Sequence, residues 1–259
     1  MSDAILALPS HRLHYRVEGP ADAPWLMLCN SLGTDLSMWN AQAAALSDGF
    51  RVLRYDRRGH GASSAPPGPC TLADLGADAL ALLDALAIKR THYCGLSIGG
   101  LVAQWLAVHA PQRIDRVVVC ASAAKIGTAD GWTSRIADVQ ARGLSWMTDA
   151  TAERWFGDGF RAAHAGQVRH ILGRFVATSV DGYASCCAAL ADADLRGDLP
   201  RITRPLLTIS GDDDPVCPPS DLQAIADATG GQHVSLPGRH LVNVESSDAF
   251  NAALRDFLS

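Results

Sequence analysis

The stretch His92-Tyr93-Cys94-Gly95-Leu96-Ser97-Ile98-Gly99-Gly100 decides how the rest of the chain is read. An apolar, strand-like run leads into G-x-S-x-G, and a helical pattern follows it. A serine on a sharp strand-to-helix turn projects its hydroxyl above the sheet as a nucleophile. Gly95 and Gly99 remove side chains where such a turn is tightest. The helix that follows turns its amino end, with its partial positive charge, toward the reacting centre. By itself G-x-S-x-G also describes a plain glycine-rich turn. The strand before it and the helix after it are the context that selects Ser97 as a nucleophile.

A serine hydroxyl is a poor nucleophile at neutral pH and needs a base, which in turn needs an orienting group. On an elbow of this kind the acid and then the histidine follow the serine in the chain. Residues 206–210 form an apolar run ending in Gly211-Asp212-Asp213-Asp214-Pro215. The residues alone leave the choice within that carboxylate cluster open, between Asp214 and Asp212 as orienting acid. At least one of the three serves as a solvated or capping group, because close carboxylates compete to stay ionised. His240 lies in Pro237-Gly238-Arg239-His240-Leu241, after the last strand-like run and before a closing helix. His233, also downstream of the acid, falls early in that run instead. For the oxyanion, one donor is expected from the amide of Ile98, next to the nucleophile. The other is expected from Leu32, in the loop Asn30-Ser31-Leu32-Gly33-Thr34, which otherwise reads as a plain strand-to-helix turn.

Outward from these motifs, residues 4–8 and 11–18 form an expected hairpin, with a turn near Pro9 and Ser10. Short apolar runs at 25–29, 51–55, 92–96, 117–120, 206–210 and 233–236 then alternate with helices expected over 37–47, 72–87, 98–109, 219–229 and 246–258. Continuous apolar strands separated by helices indicate a mostly parallel sheet covered on both faces. Between about Lys125 and Asp198 no strand-like run occurs, and the segment reads as short helices rich in Trp, Arg and Ala. It is expected to be a cap over the carboxyl end of the sheet, where open α/β sheets bind ligands.

The 259 residues, 48% hydrophobic, suit one such core with one insertion. A net charge of −5 lacks the basic footprint of a nucleic-acid binder. The first residues show no basic stretch followed by a long apolar run, and no run is long enough to span a bilayer. A cytoplasmic setting is therefore expected, with no nucleic-acid or membrane partner; oligomeric state is not legible. Seven cysteines, an odd number with no C-x-x-C pair, point to reduced thiols rather than a disulfide framework.

Along nearly its whole length the chain resembles the α/β-hydrolase family. The motifs Asn30–Thr34, Tyr55-Asp56-Arg57-Arg58-Gly59-His60-Gly61-Ala62-Ser63, Gly95–Gly99 and Gly211–Pro215 stand in that family's order. The resemblance implies an eight-stranded, mostly parallel sheet flanked by helices, with a core of residues 1–124 and 199–259 and a cap of 125–198. Its G-x-x-D pattern implies Asp214 as the acid, and H-x-x-N-x-E matches His240 through Glu245. Asn30-Ser31-Leu32-Gly33, the Asp56–Gly61 motif and Gly131-Trp132-Thr133-Ser134-Arg135-Ile136 narrow the resemblance to the 3-oxoadipate enol-lactonases. That implies a small-molecule lactone substrate, opened by a Ser-His-Asp triad without metal or organic cofactor, in bacterial breakdown of aromatic compounds.

A lactone carrying a carboxylate calls for a cation, for which a guanidinium fork is suited. Arg135 is the first candidate, followed by Arg174 and Lys125. Trp132, Trp146 and Trp155 are candidates for an apolar pocket wall, against the plainer reading that they glue the cap helices together. Asp56, Arg57 and His60 are read as structural, with Arg57 or Arg58 tying loops together. Two other functions share the triad: a broad carboxylesterase or perhydrolase-like enzyme, and a lactone receptor with little turnover. Relatives that dehalogenate or open epoxides carry Asp in place of Ser97, which sets them aside.

Overall fold

The five central strands of the sheet are buried along most of their length, and this follows from their sequence. Trp25-Leu26-Met27-Leu28-Cys29 and Val117-Val118-Val119-Cys120 do not alternate apolar with polar, so neither face can be left to water. The computed structural model describes residues 2–259. Its strands are β1 (Ser2–Ala7), β2 (Arg12–Glu18), β3 (Trp25–Cys29), β4 (Arg51–Tyr55), β5 (Thr91–Leu96), β6 (Ile114–Cys120), β7 (Leu206–Gly211) and β8 (Gln232–Leu236). They form one eight-stranded sheet in the order β1-β2-β4-β3-β5-β6-β7-β8. β2 pairs antiparallel with β1 and with β4, and every other pairing is parallel.

Helices α1 (Asn40–Leu46), α2 (Leu72–Ala85) and α3 (Ile98–His109) connect the first parallel strands. The expected helix over 37–47 divides, because Asp35 accepts from the Ser37 amide and starts a 3-10 turn over Leu36–Trp39 first. The Thr71/Asp74 capping box at the start of α2 is fully made. Between β6 and β7 lie α4 (Ala129–Arg142), α5 (Thr148–Trp155), α6 (Asp158–Ala163), α7 (Ala165–Val176) and α8 (Val180–Asp192), with no strand among them. The two ends of this insertion meet: Leu195 N donates to Ala124 O at 2.9 Å and Lys125 pairs with Asp194 at 3.2 Å. The insertion seats on the core through the backbones of Gly182 and Gly59, which approach so closely that a Cβ on either would collide with the other. The chain closes with α9 (Pro219–Thr229), α10 (Val242–Glu245) and α11 (Ser247–Leu258). Among the described residues no helix is long and apolar enough to cross a membrane.

The strand order reverses at β3, which has β4 on one side and β5 on the other. In open α/β sheets the crevice above such a switch point is where ligands bind. In register, Cys29 stands beside Gly95, so the loops after β3 and β5 emerge together. They also touch: a Cβ on Gly99 would run into the carbonyl of Cys29. Gly99→Ala should therefore force the elbow off β3 at a cost of about 1–3 kcal/mol, typical of overpacking. Thermal unfolding should register it as a Tm lower by several degrees, and an unchanged Tm would show that the two loops can separate freely.

Candidate active site

Ser97 ends β5 and caps α3 with φ 61° and ψ −121°, a backbone conformation that L-residues rarely adopt. It is held there from both sides: Ser97 N donates to Cys120 O at 2.9 Å and Ser122 Oγ donates to Ser97 O at 2.7 Å. Gly95 makes the turn possible, since a Cβ there would strike the Gly99 carbonyl. Ser97 lines a cavity of about 270 Å³ shared with Ser31, Leu32 and His240, the volume of a small ligand rather than a long acyl chain.

The three aspartates after β7 separate cleanly. Asp214 is buried; its Oδ1 accepts from the amides of Val216 (2.8 Å) and Cys217 (3.2 Å), which turns Oδ2 toward His240 Nδ1 at 2.9 Å. Asp212 is exposed and accepts from the Gly238 amide, while Asp213 is exposed and pairs with Arg239 at 3.0 Å. Only Asp214 therefore meets the histidine. With Nδ1 engaged by a carboxylate, Nε2 is the nitrogen left to act as base. No hydrogen bond links Ser97 Oγ to His240 among the described residues, although both face the same cavity. Such contacts are often long in unliganded sites.

His240 is positioned largely by its backbone. Its amide donates to Arg154 O at 3.4 Å and the Leu241 amide to Trp155 O at 3.1 Å, while Arg239 Nη1 donates to Glu153 O at 2.6 Å. The carbonyls at the end of α5, which a helix leaves without internal partners, thus receive the histidine loop. Glu245 fastens the same junction, accepting from Gly157 N at 2.8 Å and Arg239 N at 2.7 Å. Beneath it, buried Asn243 donates to Met38 O and Gln42 donates back to Asn243 O at 2.9 Å.

The loop after β3 is braced from below. Buried Arg57 donates to Asn30 O at 2.7 Å and Ser31 O at 3.1 Å. His60 Nδ1 lies 3.1 Å from Arg58 O, which makes it the donor and leaves Nε2 to accept from Gly33 N at 3.0 Å. Asn30 closes the loop by donating to Thr34 O at 2.6 Å. The amides of Ser31, Gly33 and Thr34 all have acceptors. Among the described residues, the amides of Leu32 and Ile98 have none, and Leu32 and Ser97 line the cavity. Arg57 does tie loops together, and so does Arg58, which grips Asp78 of α2 through two bonds of 2.7 Å.

The cavity wall corrects several expectations from sequence. Trp132 and Trp155 line it, Trp132 fixed by donation to Ile126 O at 2.6 Å. Trp146 does not: it is 38% exposed and lies under the Arg142 guanidinium. Arg135 lines the cavity, but Lys125 is spent on Asp194 and Arg174 on Asp35. Arg154, which sequence reasoning missed, lines it as well. The signal was present in the spacing: Thr151, Arg154 and Trp155 recur at i, i+3 and i+4, one face of α5, and all three line the cavity.

Comparison with known proteins agrees with this architecture. The family model described as alpha/beta hydrolase fold matches residues 24–165. The chain is 44% identical over 243 residues to 3-oxoadipate enol-lactonase 2 of Acinetobacter baylyi, covering 93% of this chain and 91% of that protein. Among solved structures, the enol-lactonase from Burkholderia xenovorans LB400 is similar with a TM-score of 0.96 and 44% identity, covering 98% of this chain and 99% of the other. A hydrolase from Pseudomonas aeruginosa is similar with a TM-score of 0.96 and 47% identity, covering 99% and 98%.

The aspartate geometry sets a discriminating expectation. Asp214→Asn should lower kcat by about 10⁴-fold while leaving the circular dichroism spectrum intact, because the histidine loses its orienting charge and tautomer. Asp212→Asn, which keeps an oxygen for the Gly238 amide, should leave kcat nearly unchanged. The reverse ranking in steady-state kinetics would move the acid to Asp212.

Proposed function

The chain belongs to the α/β-hydrolase family, and from that premise we propose that it hydrolyses 3-oxoadipate enol-lactone to 3-oxoadipate through an acyl-enzyme on Ser97. The observation that carries the reading is one small cavity holding Ser97, His240 and the guanidinium of Arg135, with no acidic residue in its wall. Such a wall suits an acyl substrate that brings its own carboxylate. Support also comes from the 44% and 40% identity to the two 3-oxoadipate enol-lactonases of Acinetobacter baylyi.

In this mechanism Ser97 Oγ attacks the lactone carbonyl carbon as His240 Nε2 takes its proton. Asp214 stabilises the imidazolium through Nδ1. The Leu32 and Ile98 amides receive the developing oxyanion, an interaction for which loss of one donor costs about 2.7–4 kcal/mol in related chemistry. Collapse breaks the ring C–O bond, and His240 returns the proton to the departing enol oxygen. The enol ketonises while its chain remains an ester of Ser97. Water then gives a proton to His240, attacks the ester carbonyl and releases the second carboxylate, restoring the serine hydroxyl.

Residues 125–198 act in this reading as a cap that walls the substrate over a core of residues 1–124 and 199–259. Trp132 and Trp155 supply its apolar surface and Arg135 holds the substrate carboxylate. The reading carries with it a place in bacterial catabolism of aromatic compounds, in the cytoplasm.

The test is loss of ultraviolet absorbance by freshly prepared 3-oxoadipate enol-lactone, with mass identification of the product. Wild type should turn the lactone over rapidly, and Ser97→Ala should lower kcat by a factor on the order of 10⁶. Serine-dependent cleavage of neutral aryl esters without turnover of the lactone would overturn the substrate and keep the nucleophile.

A further inference from the structure

Two arginines, not one, line the cavity that holds Ser97. Arg135 comes from α4 and Arg154 from the last turn of α5, and both line the cavity with Ser97 and His240. Among the described residues neither makes an ion pair with a carboxylate. Arg154 has one side-chain partner, Thr151 Oγ1, at 3.1 Å from Nη2. Three other cap arginines are paired, Arg161 with Asp158, Arg174 with Asp35 and Arg196 with Asp194, and the two that are not, Arg142 and Arg169, are exposed to water. Half-burying a guanidinium without a counter-ion is costly. Burial first, and then the neighbouring charge of Arg135, hold Arg154 below the ordinary guanidinium pKa. An incoming carboxylate would relieve both.

Arg154 also differs from Arg135 in what its backbone does. The carbonyls of Glu153, Arg154 and Trp155 accept from Arg239, His240 and Leu241 respectively. The turn that aims the Arg154 side chain into the cavity is therefore the turn on which the histidine loop is docked. A bond between substrate and Arg154 acts on the peptide group that receives the His240 amide.

We infer that Arg154 is a specificity-determining residue: it binds the carboxylate of an anionic acyl substrate from the same helix end that holds His240, so that substrate charge enters kcat as well as KM. This rests on the reading of the site as one for carboxylate-bearing lactones and esters, and it assigns the coupling of charge to turnover to Arg154 and not to Arg135. Arg135 belongs to α4, which among the described residues makes no hydrogen bond to the histidine loop, so its charge contributes to KM.

The experiment compares two esters of one chain length: the 4-nitrophenyl monoester of glutarate, which ends in a carboxylate, and 4-nitrophenyl pentanoate, which does not. Steady-state kinetics are measured for wild type, Arg154→Met, Arg154→Lys and Arg135→Met, with Tm and circular dichroism as checks on folding. Wild type should prefer the glutarate ester. In Arg154→Met the ratio of kcat/KM for the charged over the neutral ester should fall about tenfold to a hundredfold, the range for a charged hydrogen bond, with part of the fall in kcat. Turnover of the pentanoate, which has no carboxylate for Arg154 to bind, should fall much less than that of the glutarate ester. Arg154→Lys should recover part of the ratio, since it restores the charge without the fork. Arg135→Met should raise KM for the charged ester with little change in kcat. An unchanged ratio in Arg154→Met, or an equal fall on both esters, would overturn the inference and leave Arg154 a structural support. A wild type with no preference for the charged ester would instead overturn the carboxylate reading of the site itself. If Arg154→Met fails to fold, the same ratio measured in Arg154→Lys decides, because loss of the bidentate fork should still lower it.

Discussion

Everything at the site depends on one residue held in an unfavourable backbone conformation. Ser97 at φ 61° is a non-glycine in a region that costs about 1–3 kcal/mol, and its surroundings have to over-determine it. They do so with main-chain bonds and with missing side chains. β6 takes the Ser97 amide, Ser122 takes its carbonyl, and Gly95 and Gly99 let β5, α3 and β3 approach within distances no Cβ would allow. The sheet register beneath, Cys29 beside Gly95 and Leu96 beside Cys120, fixes those approaches. The apolar strands therefore do more than form a core. They set the platform against which a strained turn can be held, and the strain exposes the hydroxyl at the start of α3, where the helix dipole favours negative charge.

The histidine is secured by a different logic. Asp214 belongs wholly to the core, oriented by amides of its own loop. His240 lies on a core loop too, but its amide and that of Leu241 are received by the inserted helices. Glu245 completes the joint by accepting from one amide on each side of it. The insertion is thus part of what positions His240, in addition to lining the cavity. A motion that lifted α5 would loosen His240 as it opened the cavity, so an uncovered site would also be a poorly assembled one.

How much of this was legible in the sequence follows from how local each signal is. The elbow is encoded within five residues, and the strands are continuous apolar runs, so both can be read without tertiary information. Ser97, His240 and the carboxylate cluster follow because chain order constrains them. The choice of Asp214 over Asp212 depended on the resemblance, since all three aspartates sit in one turn and only the fold shows which faces the histidine. Among the cap arginines the sequence offered no way to know which had partners. Arg174 is 139 positions from Asp35, and that pairing exists only once α7 is seated on the core. For Arg154 the spacing with Thr151 and Trp155 marks a shared face of α5, but α5 is a short helix, and only its docking shows that this face lines the cavity. Trp146 carried the same composition signal as Trp132 and Trp155 and points to solvent.

The Leu32 and Ile98 amides, proposed as the oxyanion donors and without acceptors among the described residues, illustrate how a polar scaffold orients a backbone donor. Across a trans peptide, C=O and N–H point in opposite directions. The Leu32 N–H shares its peptide plane with the Ser31 carbonyl, which Arg57, the Thr34 amide and the Thr34 hydroxyl all pull to the far side. The Ile98 N–H shares its plane with the Ser97 carbonyl, held by the Ser122 hydroxyl and by the amides of Gly100 and Leu101. Anchoring each carbonyl fixes the peptide plane that its partner N–H shares. The buried charge of Arg57 strengthens this, because a carbonyl polarised by a cation leaves its amide a better donor. On the proposed oxyanion role, that accounts for a fully buried arginine whose donors end on the Asn30 and Ser31 carbonyls: it acts through a peptide plane, and a neutral hydrogen-bonding side chain there would hold the geometry with less of the polarisation.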